Sequence, residues 1–470
     1  MTPSRPAVSA AGLRERARRR LDEVRAAADA RWGRPRTDHR PVYLIAPAGH
    51  PNHGDEQLLA GWLRYLRRRL PGTPVVVDCH TPGQAAVLHH AEHPDVLFTD
   101  TLWRLAGEHA DLAAAEAVAF CRDAVGDRGL RPAVASGVDL LRSASVVHLI
   151  GGGYVNDLWP HHLGVVAAAG EAGRLSGARV VATGQGLIPC ADVDLLADAL
   201  SGFDLVAVRD TASFDLLAGT DVPVRHVADD GWLALSAAGG VGTGDHPVYS
   251  DDPDTCRDLV LCVQSDLADP DALADAVARV LTEWAVPGER ITVVESIPGG
   301  DRVVWDLVRA RAEAASLGSS GGSSIDGSGG DDAAGGGDDA AGGGDDDEVG
   351  RTLAGLQLPR ARFVPFQELW AAGLPARPGQ MWLSTRFHAH LFAAARGASG
   401  VALRTGSTYY DVKHGSLAAA GSPWLAVAAS DVVVDSPIPA LPTAGGFSSS
   451  AVSALIAGAQ ALADEVYPRP

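Results

Sequence analysis

Short aliphatic runs alternate with helix-length segments along most of the chain. VYLIAP (42–47), PVVVD (74–78), SVVHLI (145–150), ARVVATG (178–184) and LVAVRD (205–210) each carry a continuous apolar stretch bounded by Gly, Pro, Asp or Ser. A run without polar alternation belongs in a strand covered on both faces, and strands separated by crossover helices form a parallel sheet. The pattern predicts helices over 56–70, 82–92, about 105–125 and 164–175, and hence a Rossmann-like domain over 41–245. A second series has strands DLVLCVQ (258–264), RITVVES (290–296), ARFVPF (361–366), GVALR (400–404) and DVVVDSP (431–437), with a helix over 271–284 and another near Glu368. It predicts a second Rossmann-like domain over 255–440, followed by a C-terminal helix and tail over 441–470. The predicted fold class is α/β, with two such domains and an interdomain cleft.

Two segments fall outside this alternation. LRERARRRLDEVRAAADA (13–30) places Leu13, Ala17, Leu21, Val24 and Ala28 on one thin face and arginines on the other. Residues 1–40 are therefore read as a basic N-terminal helix and linker, a solvated helix rather than a membrane-seeking one. Residues 316–350 hold nine acidic side chains, no Lys or Arg, and two DDAAGGG units. Such a stretch cannot bury enough apolar surface to offset its ordering entropy, so the expectation is a disordered insertion. It lacks the ligand spacing of a calcium loop.

With 470 residues and 46% hydrophobic side chains, two domains can each build a core. The formal charge of −19 argues against nucleic acid or an anionic membrane as a non-specific partner, while leaving room for a local cationic pocket. Five scattered cysteines, without a CxxC pair, read as buried thiols of a reducing compartment. No apolar stretch reaches spanning length, so the sequence predicts no integral membrane segment and a cytoplasmic location. Histidines alone do not specify a metal, and none is predicted.

Four constellations carry chemistry. In APAGHPNHGDEQLL, Gly49 and Gly54 permit a tight turn after the first strand, Asn52 and Asp55 can cap the next helix, and the amides there could receive an anion. The order is neither a Walker A loop nor GxGxxG. In HLIGGGYVNDLWP, Gly151, Gly152 and Gly153 let a ligand approach the main chain, and Asn156 and Asp157 can orient its polar groups. Gln185 lies between two glycines at a strand end, and Arg209 follows the next strand. Its planar fork suits a carboxylate or phosphate, with a salt bridge as the alternative. The Asp229–Asp230 pair is a weaker signal. Lastly, WLSTRFHAHLF sets Arg386 and His388 between a strand and a helix, with Lys413 downstream.

Together these motifs resemble the polysaccharide pyruvyl transferase family. The resemblance rests on Asn52-x-Gly54-Asp55, Gly151 to Gly153, Gly184-Gln185-Gly186, Val208-Arg209-Asp210, and Ser384-x-Arg386-x-His388 with Lys413, and it spans most of residues 42–437. Phe387 stands where the family usually carries leucine. The resemblance implies a GT-B-like pair of domains and transfer of pyruvate from phosphoenolpyruvate to sugar hydroxyls as a ketal. It implies no cofactor, phosphoenolpyruvate as the donor substrate, and a sugar or lipid-linked glycan of a cell-surface polysaccharide as acceptor. Arg209 and Arg386 are assigned to the donor's anionic groups with Lys413 in support, and His388 is the expected acid. Asp55 and Asp157 are candidates to position or deprotonate the acceptor. Asn52, Gly54, the three glycines, Asn156 and Gln185 complete the expected binding residues. The lipid-linked acceptor would place the protein at the inner membrane face, and homo-oligomerisation is left open. The rivals are a sugar-nucleotide glycosyltransferase and an inactive glycan-binding scaffold.

Overall fold

The computed structural model describes residues 40–236, 247–320, 353–432, 438–443 and 445–469. The expected basic N-terminal helix, and the Gly/Asp-rich stretch from 321 onward, lie outside them. The beginning of that stretch, 316–320, closes the helix Arg302–Ser320.

Two parallel sheets, flanked by helices, make a two-lobed Rossmann-like, GT-B-like α/β arrangement. The first sheet has seven strands: β1 (Val42–Ile45), β2 (Val75–Asp78), β3 (Val96–Thr99), β4 (Val146–Leu149), β5 (Arg179–Gln185), β6 (Leu205–Val208) and β7 (Val224–His226). Their order is β3-β2-β1-β4-β5-β6-β7. The second has six: β8 (Leu259–Cys262), β9 (Ile291–Val294), β10 (Arg362–Val364), β11 (Met381–Ser384), β12 (Ser399–Arg404) and β13 (Leu425–Ala428), in the order β10-β9-β8-β11-β12-β13. The central strands β1, β2, β6, β8 and β9 are buried at every position, as uninterrupted aliphatic runs require.

The sequence pattern missed three strands, β3, β7 and β13, and all three lie at sheet edges. An edge strand has a neighbour on one side only. Its side chains stay partly exposed, so it needs no continuous apolar run. Of the strand expected over 431–437, Asp431 ends a short 3-10 turn and 433–437 lie outside the described residues; β13 lies earlier in the chain.

One apolar core runs between the sheets, from Val42 and Leu44 through Trp62 and Trp232 to Trp382 and Phe392. The C-terminal helix Ser449–Val466 then lies back on the first lobe. The Tyr65 hydroxyl donates to Asp464 Oδ1 at 2.6 Å, and Tyr467 Oη lies 2.8 Å from His148 Nδ1. The C-terminal strand ends of the two sheets face each other, His53 N donating to Ser296 O at 2.9 Å and Arg209 lying over the Phe387 ring, so the loops that follow β1, β4, β5, β6, β11 and β12 converge, the usual location for a ligand in open α/β sheets.

Candidate functional site

Arg209 follows β6, and its amide donates to Gln185 O at 2.9 Å, which fixes the start of the side chain. The side chain is 2% exposed. Its Nη1 donates to Asp229 Oδ2 at 2.8 Å, and its Cζ lies over the Phe387 ring, 4.4 Å from the centroid. Nε and Nη2 are buried and have no hydrogen-bond partner among the described residues. Two donors in one plane, desolvated and unpaired, form a fork of the shape that a carboxylate or phosphate accepts.

Glycine loops border that fork. A Cβ at Gly186 would sit 2.9 Å from Arg209 Nε, and one at Gly153 would sit 2.9 Å from Nη2 and 3.1 Å from Lys413 Nζ. Arg209 and Lys413 thus flank a single point, and any side chain at 153 would intrude between them. The glycines Gly151 to Gly153 are zipped to the neighbouring loop, Gly152 donating to Gly184 O and Gly186 to Gly152 O. Gly151 donates to Asp230 Oδ2 at 2.8 Å.

Lys413 lies in the helix Thr408–Ala419, with Nζ 3.6 Å from the centroid of the Tyr409 ring. Burial, then the charges of Arg209 and Arg386, push its pKa well below the usual lysine value, against the pull of Asp55. The Tyr409 hydroxyl donates to Gly153 O at 2.8 Å and ties this helix to the glycine loop of the first lobe.

His388 is in the first turn of the helix Phe387–Ala395, and its ring fills the space where a side chain at Gly54 would begin. Its Nε2 lies 3.4 Å from Asp229 Oδ1. Burial works against ionisation of Asp229, but the His388 ring and the Arg209 guanidinium hold its carboxyl well below the usual range. The opposite holds for Asp55, whose carboxyl is raised by burial in spite of His388, Lys413 and Arg209. Asn52 caps the helix His53–Arg69, accepting from Gly54 N and donating through Nδ2 to Asp55 Oδ2 at 2.8 Å.

The structure therefore brings together Arg209, His388, Lys413, Asp55, Gly54 and Gly153. Arg386 stands differently from its expected role: its Nε donates to both oxygens of Asp301, at 3.0 and 2.8 Å, and Nη2 also bonds Asp301. This fork is committed within the second lobe, where Asp301 also receives the amides of Ser296 and Ile297. Asp157 is exposed and accepts from Ala191 N at 2.7 Å, an arrangement that stabilises a loop rather than aiming a carboxylate at the cluster. Asn156 and Gln185 act on the main chain. Asn156 donates to Gly153 O, while Gln185 Nε2 donates to Ile150 O at 2.8 Å and Thr183 O at 2.9 Å.

Sequence reasoning undervalued Asp229 and missed Asp301, Tyr409 and the contact of Phe387 with Arg209. Asp229 follows the unpredicted edge strand β7, so nothing in the pattern placed it at a strand end. Among the described residues no group of three or more His, Cys, Asp or Glu side chains could hold a metal, and no helix is long and apolar enough to cross a membrane.

Residues 52–281 match the model of the family described as polysaccharide pyruvyl transferase. No curated protein matches the chain. Solved structures with similar backbones include S. aureus MnaA with UDP, at 11% identity over 92% of this chain and 90% of that one, with a TM-score of 0.43. Another is trehalose 6-phosphate synthase from Burkholderia multivorans, at 12% identity, 91% and 94% coverage and a TM-score of 0.41. A third is the spinosyn rhamnosyltransferase SpnG with thymidine diphosphate, at 14% identity, 92% and 97% coverage and a TM-score of 0.39. With TM-scores below 0.5, none of these three transfers an activity to this chain.

Proposed function

From the match of residues 52–281 to the polysaccharide pyruvyl transferase family, we propose that the chain moves the pyruvyl group of phosphoenolpyruvate onto two hydroxyls of a sugar in a polysaccharide or its precursor, forming a ketal. The observation that carries this reading is the fork of Arg209 beside Lys413, with His388 drawn to the same Asp229 that orients the fork.

The donor carries a carboxylate and a phosphate on one enol carbon. The Arg209 fork suits either anion, and Lys413 adds a neighbouring amine that gains a counter-ion when a dianion arrives. His388 delivers a proton to the terminal methylene, which becomes methyl and leaves an oxocarbenium-like carbon. A first sugar hydroxyl adds there and releases its proton. Phosphate then leaves, a second hydroxyl adds to the regenerated cation, and its proton departs with the ketal complete. Asp55, its carboxyl raised by burial and under the electrostatic influence of His388, Lys413 and Arg209, exchanges one of these protons. Arg386 orients the start of the helix that bears His388 through its bond to Asp301, a supporting role in place of direct anion binding. The partly exposed indole of Trp159, 6.1 Å from the Tyr409 ring, offers an apolar face to an approaching sugar.

Calorimetric titration of wild type and Arg209→Lys with phosphoenolpyruvate tests the reading. Lysine keeps the charge beside Asp229 and removes the fork. Saturable binding that weakens by about 100-fold in the variant is expected, given roughly 1.5–3 kcal/mol for a charge-assisted hydrogen bond. Binding of nucleotide sugars without phosphoenolpyruvate would replace pyruvyl transfer with glycosyl transfer.

A further inference from the structure

The Arg209 guanidinium has two neighbours of different kinds: Nη1 bonds Asp229 Oδ2, and Cζ lies over the Phe387 ring, 4.4 Å from its centroid, while Nε and Nη2 take no partner among the described residues. Phe387 opens a second-lobe helix, whereas Arg209 and Asp229 belong to the first lobe. The consecutive residues Phe387 and His388 thus dock on one ion pair, the phenyl ring on the cation and the imidazole by the anion. An aromatic face attracts a guanidinium through its quadrupole and consumes none of its N–H donors. A carboxylate in the same place would neutralise the fork, and an aliphatic side chain would leave its plane free to tilt.

We infer that Phe387 is a positioning residue: its ring fixes the plane of the Arg209 fork across the lobe boundary, so that Nε and Nη2 are presented to the anionic donor. The inference rests on the pyruvyl-donor reading for the identity of that donor. It also explains how a first-lobe cation and a second-lobe acid keep one geometry, since both answer to adjacent residues of a single helix.

The test replaces Phe387 with 4-fluoro-, 3,5-difluoro- and 3,4,5-trifluorophenylalanine, which drain charge from the ring face while barely changing its shape. Phe387→Leu and Phe387→Trp accompany the series. Affinity for phosphoenolpyruvate and for inorganic phosphate is measured by calorimetry, and the unfolding midpoint of each variant is measured beside it. The expected result is a stepwise loss reaching about 10-fold at trifluorophenylalanine, the scale of a desolvated cation–π contact. Leucine should lose at least as much, tryptophan should retain affinity, and the fluorinated midpoints should stay together. Phosphoenolpyruvate binding that is flat across the series overturns the inference and leaves the donor reading intact. A graded series for phosphate with no binding of phosphoenolpyruvate upholds the positioning role and removes the donor reading. If wild type binds neither anion, the fork is not an anion receptor and both fall.

Discussion

His388 Nε2 lies 3.4 Å from Asp229 Oδ1, and the other oxygen of that carboxylate accepts a hydrogen bond from Arg209 Nη1 at 2.8 Å. One first-lobe carboxylate therefore governs both the proposed acid and the proposed anion receptor. Asp229→Asn keeps the shape and removes the charge. The buried Arg209 would lose its counter-ion, at a cost of about 3–5 kcal/mol for a broken buried pair. Turnover should fall by about 100-fold or more, the range of a mispositioned general acid. Urea unfolding and a phosphate-release assay measure the two effects, and a variant with unchanged stability and turnover would remove Asp229 from the site.

Arg386 and Asp301 make a second buried pair, and its role is separable by a double-mutant cycle. Arg386→Ala and Asp301→Ala should each destabilise by about 3–5 kcal/mol, because each strands a buried charge. The double variant should be less destabilised than the sum of the two, as expected for residues in contact. Additive losses in urea unfolding would mean that the pair does not act as a unit. If Arg386→Ala abolished donor binding while Asp301→Ala tightened it, Arg386 would return to the role of anion ligand.

Much of this architecture is legible in the sequence, and the boundary of legibility is physical. Buried central strands such as β1 and β8 must be apolar at each position, so VYLI and LVLC announce themselves. Edge strands carry no such demand, and VRH of β7 could not be told from a loop. That omission hid Asp229, which follows it. Arg209 was readable as a cation at a strand end, yet its neighbours Asp229 and Phe387 lie 20 and 178 positions away, and periodicity does not encode such meetings. The same holds for Arg386, whose partner Asp301 is 85 positions distant. Ion-pair partners were the part hidden from the sequence, and they separate the two arginines by role.

Gly54→Ala separates site geometry from stability. Gly54 sits in the first turn of the helix His53–Arg69, where alanine is intrinsically favoured over glycine by about 1 kcal/mol. A methyl there would nevertheless meet the His388 ring, and also its Cβ at 2.7 Å. Overpacking costs about 1–3 kcal/mol, which the helix gain partly offsets. The expected result is a stability change near 1–2 kcal/mol with turnover reduced about 100-fold. The double variant with His388→Ala should show no further loss of activity. A fully active Gly54→Ala enzyme would show that His388 need not occupy this position.

Stability should fall on acidification below pH 6. Burial lowers the pKa of His53, His148 and His162 to about 3 and that of His414 to about 4. Each histidine contributes stability that is full above the unfolded value near 6.5 and is lost as pH falls toward the folded one. Two carboxyls work the other way. Burial raises Asp78 to about 7 and Asp230 to about 6, so their contribution is full below the unfolded value near 3.9 and is lost as pH rises through those folded values. Burial also lowers His80 to about 4 and His390 well below the usual value, so around pH 5 the histidines outweigh the carboxyls and unfolding takes up protons, at about 1.4 kcal/mol per pH unit for each net proton. Asp230→Asn removes one opposing group, so its slope between pH 4 and 6 should be steeper than that of wild type by about 1 kcal/mol per pH unit. Urea unfolding at pH 7, 6, 5 and 4.5 measures both slopes. A wild-type stability that rises below pH 6, or an unchanged slope in Asp230→Asn, would contradict the burial of these groups.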